Sequence, residues 1–216
     1  MSKRLRYQVA VSLDGFIARP NGDYDWIVSD PAVDFNALYK QFDVAVMGRK
    51  TYAPVSAMEG HGAMPGIQIY VFSRTLSPAT YPGVSIVNDD PRTVVAELKK
   101  KSGKDIWLFG GGELFRSLLD AGLVDTVEVA VMPVLLGSGI PLLPPGSDAK
   151  LKLADIQRLP RSGIVVLAYS VAGSGGAAPK IAYVNQPQKS RKKRTAAGKS
   201  RPGSKRVEKT RRRSSR

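Results

Sequence analysis

The sequence predicts an α/β fold, a doubly wound and mostly parallel sheet closed by an antiparallel C-terminal hairpin. Three observations carry that expectation. Strand-length apolar runs alternate with helix-period segments from residue 5 to about 132, the order that builds a parallel sheet with helices on its faces. Two β-like runs, 151–159 and 163–171, follow with only Pro160 to Ser162 between them, too short a connection for anything but a hairpin. The sharpest strand–turn–helix unit spans 106–122: apolar Ile106 to Phe109, then Gly110, Gly111 and Gly112, then Leu114, Phe115, Leu118 and Leu119 at helical spacing up to Gly122.

Taken in order, residues 5–18 (LRYQVAVSLDGFIA) read as a central strand ended by an Asp14-Gly15 turn. The polar loop RPNGDYDW follows and ends at Trp26. Asp30-Pro31 has the form of a helix start, with Asp30 as N-cap and Pro31 in the first helical position. Val44 to Met47 is a short strand running directly into GRKTY, residues 48–52, which opens another helix. Strands are expected at 68–73 and 84–87, and Asp90-Pro91 repeats the helix-start device before Val94, Val95 and Leu98. Thr126 to Met132 is the last parallel strand and leads into the loop PVLLGSGIP, 133–141.

At 216 residues the chain has room for one α/β domain with a sizeable core. Cysteine is absent, which excludes disulfides, cysteine nucleophiles and thiolate metal sites, and the single histidine, His61, is too few for a multi-histidine metal centre. No metal is expected. No apolar run approaches the ~20 residues of a membrane span, and the N-terminal stretch reads as a strand rather than a signal peptide. A cytoplasmic protein follows. The net charge of +15 is unevenly placed: residues 180–216 hold 15 Lys and Arg against one acid, Glu208, while the remainder holds 18 bases and 17 acids. The expected organisation is a folded domain over 1–172, a flexible linker over 173–179 and a disordered basic tail over 180–216.

The glycine triplet points to chemistry. Glycine lets a backbone come close to a ligand, and the free N–H groups at a helix N-terminus favour an anion, so strand, glycine turn and helix make a phosphate cradle. The triplet is not the GxGxxG dinucleotide fingerprint, because position 115 is Phe. Basic or hydroxyl-bearing turns recur after two other expected parallel strands, at 48–51 and 73–75. All three would share one rim of the sheet. Arg49 and Arg74 offer bidentate phosphate contacts, and Thr51, Ser73 and Thr75 offer hydroxyls. Arginines set apart from the glycine cradle suggest an additional phosphate, as in NADP rather than NAD.

The blocks VSLDGFIA (11–18), GDYDW (22–26), MGRKTY (47–52), VFSRTL (71–76), LFGGGELFRSLL (108–119) and VDTVEVAVMPVLLGSGIPLL (124–143) resemble the dihydrofolate-reductase-like family. They are most similar to its branch containing the reductase domain of the bifunctional riboflavin-biosynthesis deaminase-reductase. The resemblance covers residues 5 to about 172. It implies an NADPH-dependent reductase acting on a pyrimidine or pteridine-like heterocycle, either dihydrofolate-reductase-like or like the riboflavin-pathway 5-amino-6-(5-phosphoribosylamino)uracil reductase. It assigns cofactor binding to Arg49, Lys50, Thr51, Ser73, Arg74, Gly110, Gly111 and Gly112, with Glu113 and Leu114 next to them. It also implies a homodimer. On the substrate side Asp34 is the nearest match to the acid that binds a pterin ring, its other reading being a solvated helix-face aspartate. Asp14 either faces the nicotinamide end of the cleft or only forms its turn, and Trp26 is either a stacking platform or a core residue. The alternative function is a nucleic-acid-associated protein that acts through its basic tail, neutralising phosphates without reading sequence.

Overall fold

A computed structural model describes residues 2–57, 64–81, 83–174 and 180–185. In chain order the elements are β1 (Leu5–Ser12), β2 (Phe16–Ala18), α1 (Phe35–Tyr39), β3 (Phe42–Gly48), α2 (Arg49–Ser56), β4 (Gln68–Phe72), β5 (Val84–Val87), α3 (Pro91–Lys100), β6 (Asp105–Gly110), α4 (Gly112–Asp120), β7 (Thr126–Met132), β8 (Ile140–Pro141), β9 (Leu151–Arg158) and β10 (Val165–Val171). Eight strands form one sheet in the order β5-β4-β3-β6-β1-β7-β10-β9, and β2 pairs with β8 separately. Pairing is parallel from β5 through to β7, and β10 runs antiparallel to both β7 and β9. The expected class is the one observed.

Strands β3 and β6 carry apolar side chains on both faces because the sheet is covered on both. Side chains alternate across a strand. Val44, Val46, Ile106 and Leu108 join Leu5 and Tyr7 in a layer with Leu114, Phe115 and Leu118 of α4 and Val95 and Leu98 of α3. Ala45, Met47 and Trp107 point the other way, into a layer with Leu38 of α1, Tyr52 and Val55 of α2, and Trp26. A fully buried ion pair spans β1 and β7 in that second layer. Arg6 Nε and Nη2 each donate to Glu128 at 2.7 Å, and both residues are 1% exposed. Thr126 donates to Glu128 at 2.9 Å, Gln41 accepts from Arg6 at 2.9 Å, and the guanidinium carbon lies 4.7 Å from the centre of the Phe42 ring.

Two expectations are corrected. The first helix begins at Phe35, with Asp34 rather than Asp30 as its N-cap. Asp30 instead accepts from Ala32 N at 2.8 Å and, across the fold, from Ser162 N at 3.1 Å in the β9–β10 connection. The second correction concerns the tail expected from residue 180. Residues 180–185 are a strap on the second layer. Ile181 and Tyr183 are buried, and Val184 bridges Val33. Ile181 N donates to Asp155 at 2.8 Å, Asp34 N to the Tyr183 carbonyl at 2.8 Å, and Asn185 N to Ala32 O at 2.8 Å. Burial first, then the nearby Glu128 charge, push the Tyr183 hydroxyl pKa up, against an opposing hydrogen bond with Gln8. The remaining residues of the expected tail, 186–216, lie outside the described residues.

Candidate functional site

Strands β4, β3 and β6 are parallel neighbours, so the turns that follow them lie side by side on one rim. Register sets them level: Gly48 is opposite Phe72, and Met47 is opposite Gly110. From that line Gly48 leads into α2, Phe72 into Ser73 and Arg74, and Gly110 into α4. The three turns singled out in the sequence are therefore brought together.

The glycine turn is tightly enclosed. Gly110 has φ +141°, a conformation other residues rarely adopt, and the Gly110–Gly111 peptide is cis. A Cβ on Gly111 would stand 3.2 Å from Thr51 Oγ1, and one on Gly112 would stand 3.0 Å from the Pro141 carbonyl oxygen. The turn thus sits between α2 and the segment from the end of β8 to Pro144, with little room for a side chain at Gly112. Glu113 is exposed in the first turn of α4, while the Leu114 side chain is buried in the first core layer.

Arg49, Lys50 and Arg74 are exposed, and no ion pair or hydrogen bond engages their side chains among the described residues. Ser73 is 9% exposed and its hydroxyl accepts from Thr75 N at 3.1 Å and Leu76 N at 3.0 Å, which shapes the turn that carries Arg74. Beside this turn lies a cleft of about 470 Å³ lined by Ser73, Arg74, Asn88, Asp89, Arg92 and Ser117, among others. Arg92 and Ser117 were not singled out in the sequence. Their place in the cleft depends on the crossovers that bring α3 and α4 beside β4.

The substrate-side candidates all carry structural contacts. The Asp14 carboxylate accepts from Leu136 N at 3.0 Å and Gly137 N at 2.7 Å, so it fastens the loop after β7 to the end of β1. The Ser12 hydroxyl first, then the Gly137 and Leu136 N–H groups, hold its pKa down to about 2 against the opposing effect of burial. Asp34 caps α1 by accepting from Ala37 N at 3.0 Å. Trp26 is 7% exposed within the second core layer, and its Nε1 has no hydrogen-bond partner among the described residues. His61 lies outside the described residues. Among the described residues no acidic or histidine cluster is suited to a metal ion, and no helix is long and apolar enough to cross a membrane.

A parallel sheet with β1 between β6 and β7, a C-terminal hairpin, and a glycine turn at the end of a row with two basic turns define a dihydrofolate-reductase-like fold. The chain belongs to the RibD C-terminal domain family, whose description matches residues 3–165. It is 34% identical over 182 residues to the uncharacterized protein YyaP of Bacillus subtilis (strain 168), covering 77% of this chain and 94% of that one. Over 147 residues it is also 34% identical to YwjB of the same organism, covering 66% and 83%. Among solved structures it is similar to a putative riboflavin biosynthesis protein from Shewanella sp. PV-4, with a TM-score of 0.67, 27% identity, and coverage of 79% of this chain and 99% of that one. The fold is also that of the Thermotoga maritima diaminohydroxyphosphoribosylaminopyrimidine deaminase/5-amino-6-(5-phosphoribosylamino)uracil reductase. There the TM-score is 0.57 and identity 15%, with 79% of this chain matched to 57% of that larger one.

Proposed function

We propose that this protein is an NADPH-dependent reductase that transfers a hydride to a pyrimidine or pteridine-like heterocycle. The observation that carries the reading is the level rim of three turns, in which Arg49, Lys50 and Arg74, exposed and without side-chain partners among the described residues, stand in a row beside a glycine turn closely approached by Thr51 and Pro141. Those residues fit a dinucleotide phosphate: guanidinium groups fork onto phosphate oxygens, and glycine lets the backbone approach the pyrophosphate. When bound, NADPH supplies the hydride.

The chain's own part is to hold the reactants in contact and exclude water. Arg49, Lys50 and Arg74 take phosphate charge, and Thr51 sets the width of the glycine turn. Asp14 stays ionised because its partners stabilise the carboxylate, so it anchors loop 133–139 rather than delivering a proton. Asp34 holds the start of α1 beside the strap, and Trp26 fills the core beneath the loop that follows β2.

Titration of NADPH against NADH, followed by protein fluorescence, tests this reading. Replacing Arg49 or Arg74 by Ala is expected to weaken NADPH about tenfold or more while leaving NADH nearly unchanged. Equal losses for both cofactors would remove the phosphate role. Turnover is then sought with pyrimidine and pteridine panels.

A homodimer belongs to the same proposal. The edge strand β9 exposes Leu151 (44%), Leu153 (50%) and Ile156 (55%), a surface that a lone domain would be expected to blunt. A monomeric mass at micromolar concentration by light scattering would oppose it. The charge of residues 186–216 supports a second activity, sequence-independent binding of nucleic acid. Binding of random duplex DNA that weakens steeply with salt would be its signature.

A further inference from the structure

The cleft beside Arg74 holds a second arginine. Arg74 follows β4 and Arg92 belongs to the first turn of α3, yet both line the same space of about 470 Å³, together with Ser73, Asp89, Asp90 and Ser117. Arg92 is paired with Asp90 at the cleft wall. Its Nε donates to both carboxylate oxygens of Asp90 at 3.0 Å, and its Nη2 donates to Oδ2 at 2.5 Å. Asp90 is itself held by accepting from Arg92 N at 2.9 Å. A guanidinium has five N–H donors, so this clasp leaves both hydrogens of Nη1 and one of Nη2 for another acceptor.

The same clasp changes what the wall of the cleft can recognise. A free carboxylate beside an adenosine ribose accepts hydrogen bonds from the sugar hydroxyls and favours the unphosphorylated dinucleotide, whereas an arginine accommodates the extra phosphate. Asp90 would act in the first way if it stood alone. Engaged by Arg92, its charge is offset and the remaining donor edge of the arginine stands beside it. Arg74, with no partner of its own among the described residues, supplies a second fork to the same cleft.

We propose that Arg92, oriented by Asp90, is a specificity-determining residue that selects a dinucleotide bearing a phosphomonoester on its adenosine ribose over one with a free hydroxyl there. The inference rests on the NADPH reading above and assigns discrimination to a residue outside the three rim turns. It also predicts a direction for both ligands. Loss of the Arg92 side chain removes a phosphate donor and frees the Asp90 carboxylate to repel the phosphate dianion.

The test uses the full chain and two probes that need no turnover, adenosine 2′,5′-bisphosphate and adenosine 5′-monophosphate, measured by calorimetry beside NADPH and NADH. Arg92 is exposed, so Arg92→Ala is expected to fold, which a matching thermal midpoint checks. The expected result is that the wild-type protein prefers the bisphosphate and NADPH, and that Arg92→Ala lowers both preference ratios at least tenfold, with monophosphate and NADH binding unchanged or tighter. If Arg92→Ala keeps the wild-type ratios while Arg74→Ala abolishes them, the assignment to Arg92 is overturned and the NADPH reading stands. If the wild-type protein binds none of the four ligands, the NADPH reading itself falls and takes the inference with it.

Discussion

Asp14 shows how far a single residue can be read. Its turn-forming position was visible in Asp14-Gly15, but its partners, Leu136 and Gly137, are more than 120 residues away along the chain. Its pKa is lowered from the ordinary carboxylate value to about 2, so the folded state binds this proton less readily than the unfolded state. The stabilisation is therefore present above about pH 4 and fades as the pH falls toward 2. Asp14→Asn should melt below wild type at neutral pH, and the gap between their thermal midpoints should close on acidification. A gap independent of pH would show that the carboxylate charge is not what holds the loop. Arg6 was hidden in the sequence for the opposite reason: within an apolar run, a cation gives no sign of whether its partner is water or Glu128. Removing one member of a buried pair strands the other, so Glu128→Gln is expected to cost about 3 kcal/mol in urea unfolding. Replacing both members by apolar residues of similar volume should cost much less.

Elements with local signals are the ones that were legible. For α3, the Asp90-Pro91 start and the apolar spacing of Val94, Val95 and Leu98 agree, and a helix capped by Asp90 runs over Pro91–Lys100. The same Asp-Pro signal failed at Asp30, because its carboxylate is drawn to Ser162 N in a distant connection. The β2–β8 pair was missed because three and two residues carry no period. Close approach holds that pair in place: a Cβ on Gly139 would overlap the Ala18 carbonyl oxygen and press against Phe16. Gly139→Ala should therefore destabilise the protein by about 3 kcal/mol, read from the denaturant midpoint, by forcing the two segments apart. The rim was legible as three separate turns, and only the strand order β4-β3-β6 makes them one site.

For the whole molecule, the charge boundary in the sequence and the boundary of packing do not coincide. Charge changes at residue 180, yet Ile181 and Tyr183 are buried and cover the layer that holds the Arg6–Glu128 pair. A chain ending after Gln186 should keep the thermal midpoint of the full protein, whereas one ending at Pro179 should lose roughly 3–5 kcal/mol through exposure of two large side chains and their partners. Calorimetric scans of the two truncations decide the point. The central position of β1 has a kinetic consequence. Its neighbours are not the segments that follow it but β6 and β7, with Leu5 opposite Ile106 and Arg6 opposite Thr126. The first strand therefore has no sheet partner until more than 100 residues have been added, and the middle of the sheet is among the last parts able to form. Slow refolding, with both edges of β1 open to other chains meanwhile, is the expected behaviour, and holding the protein concentration low during refolding should raise the yield.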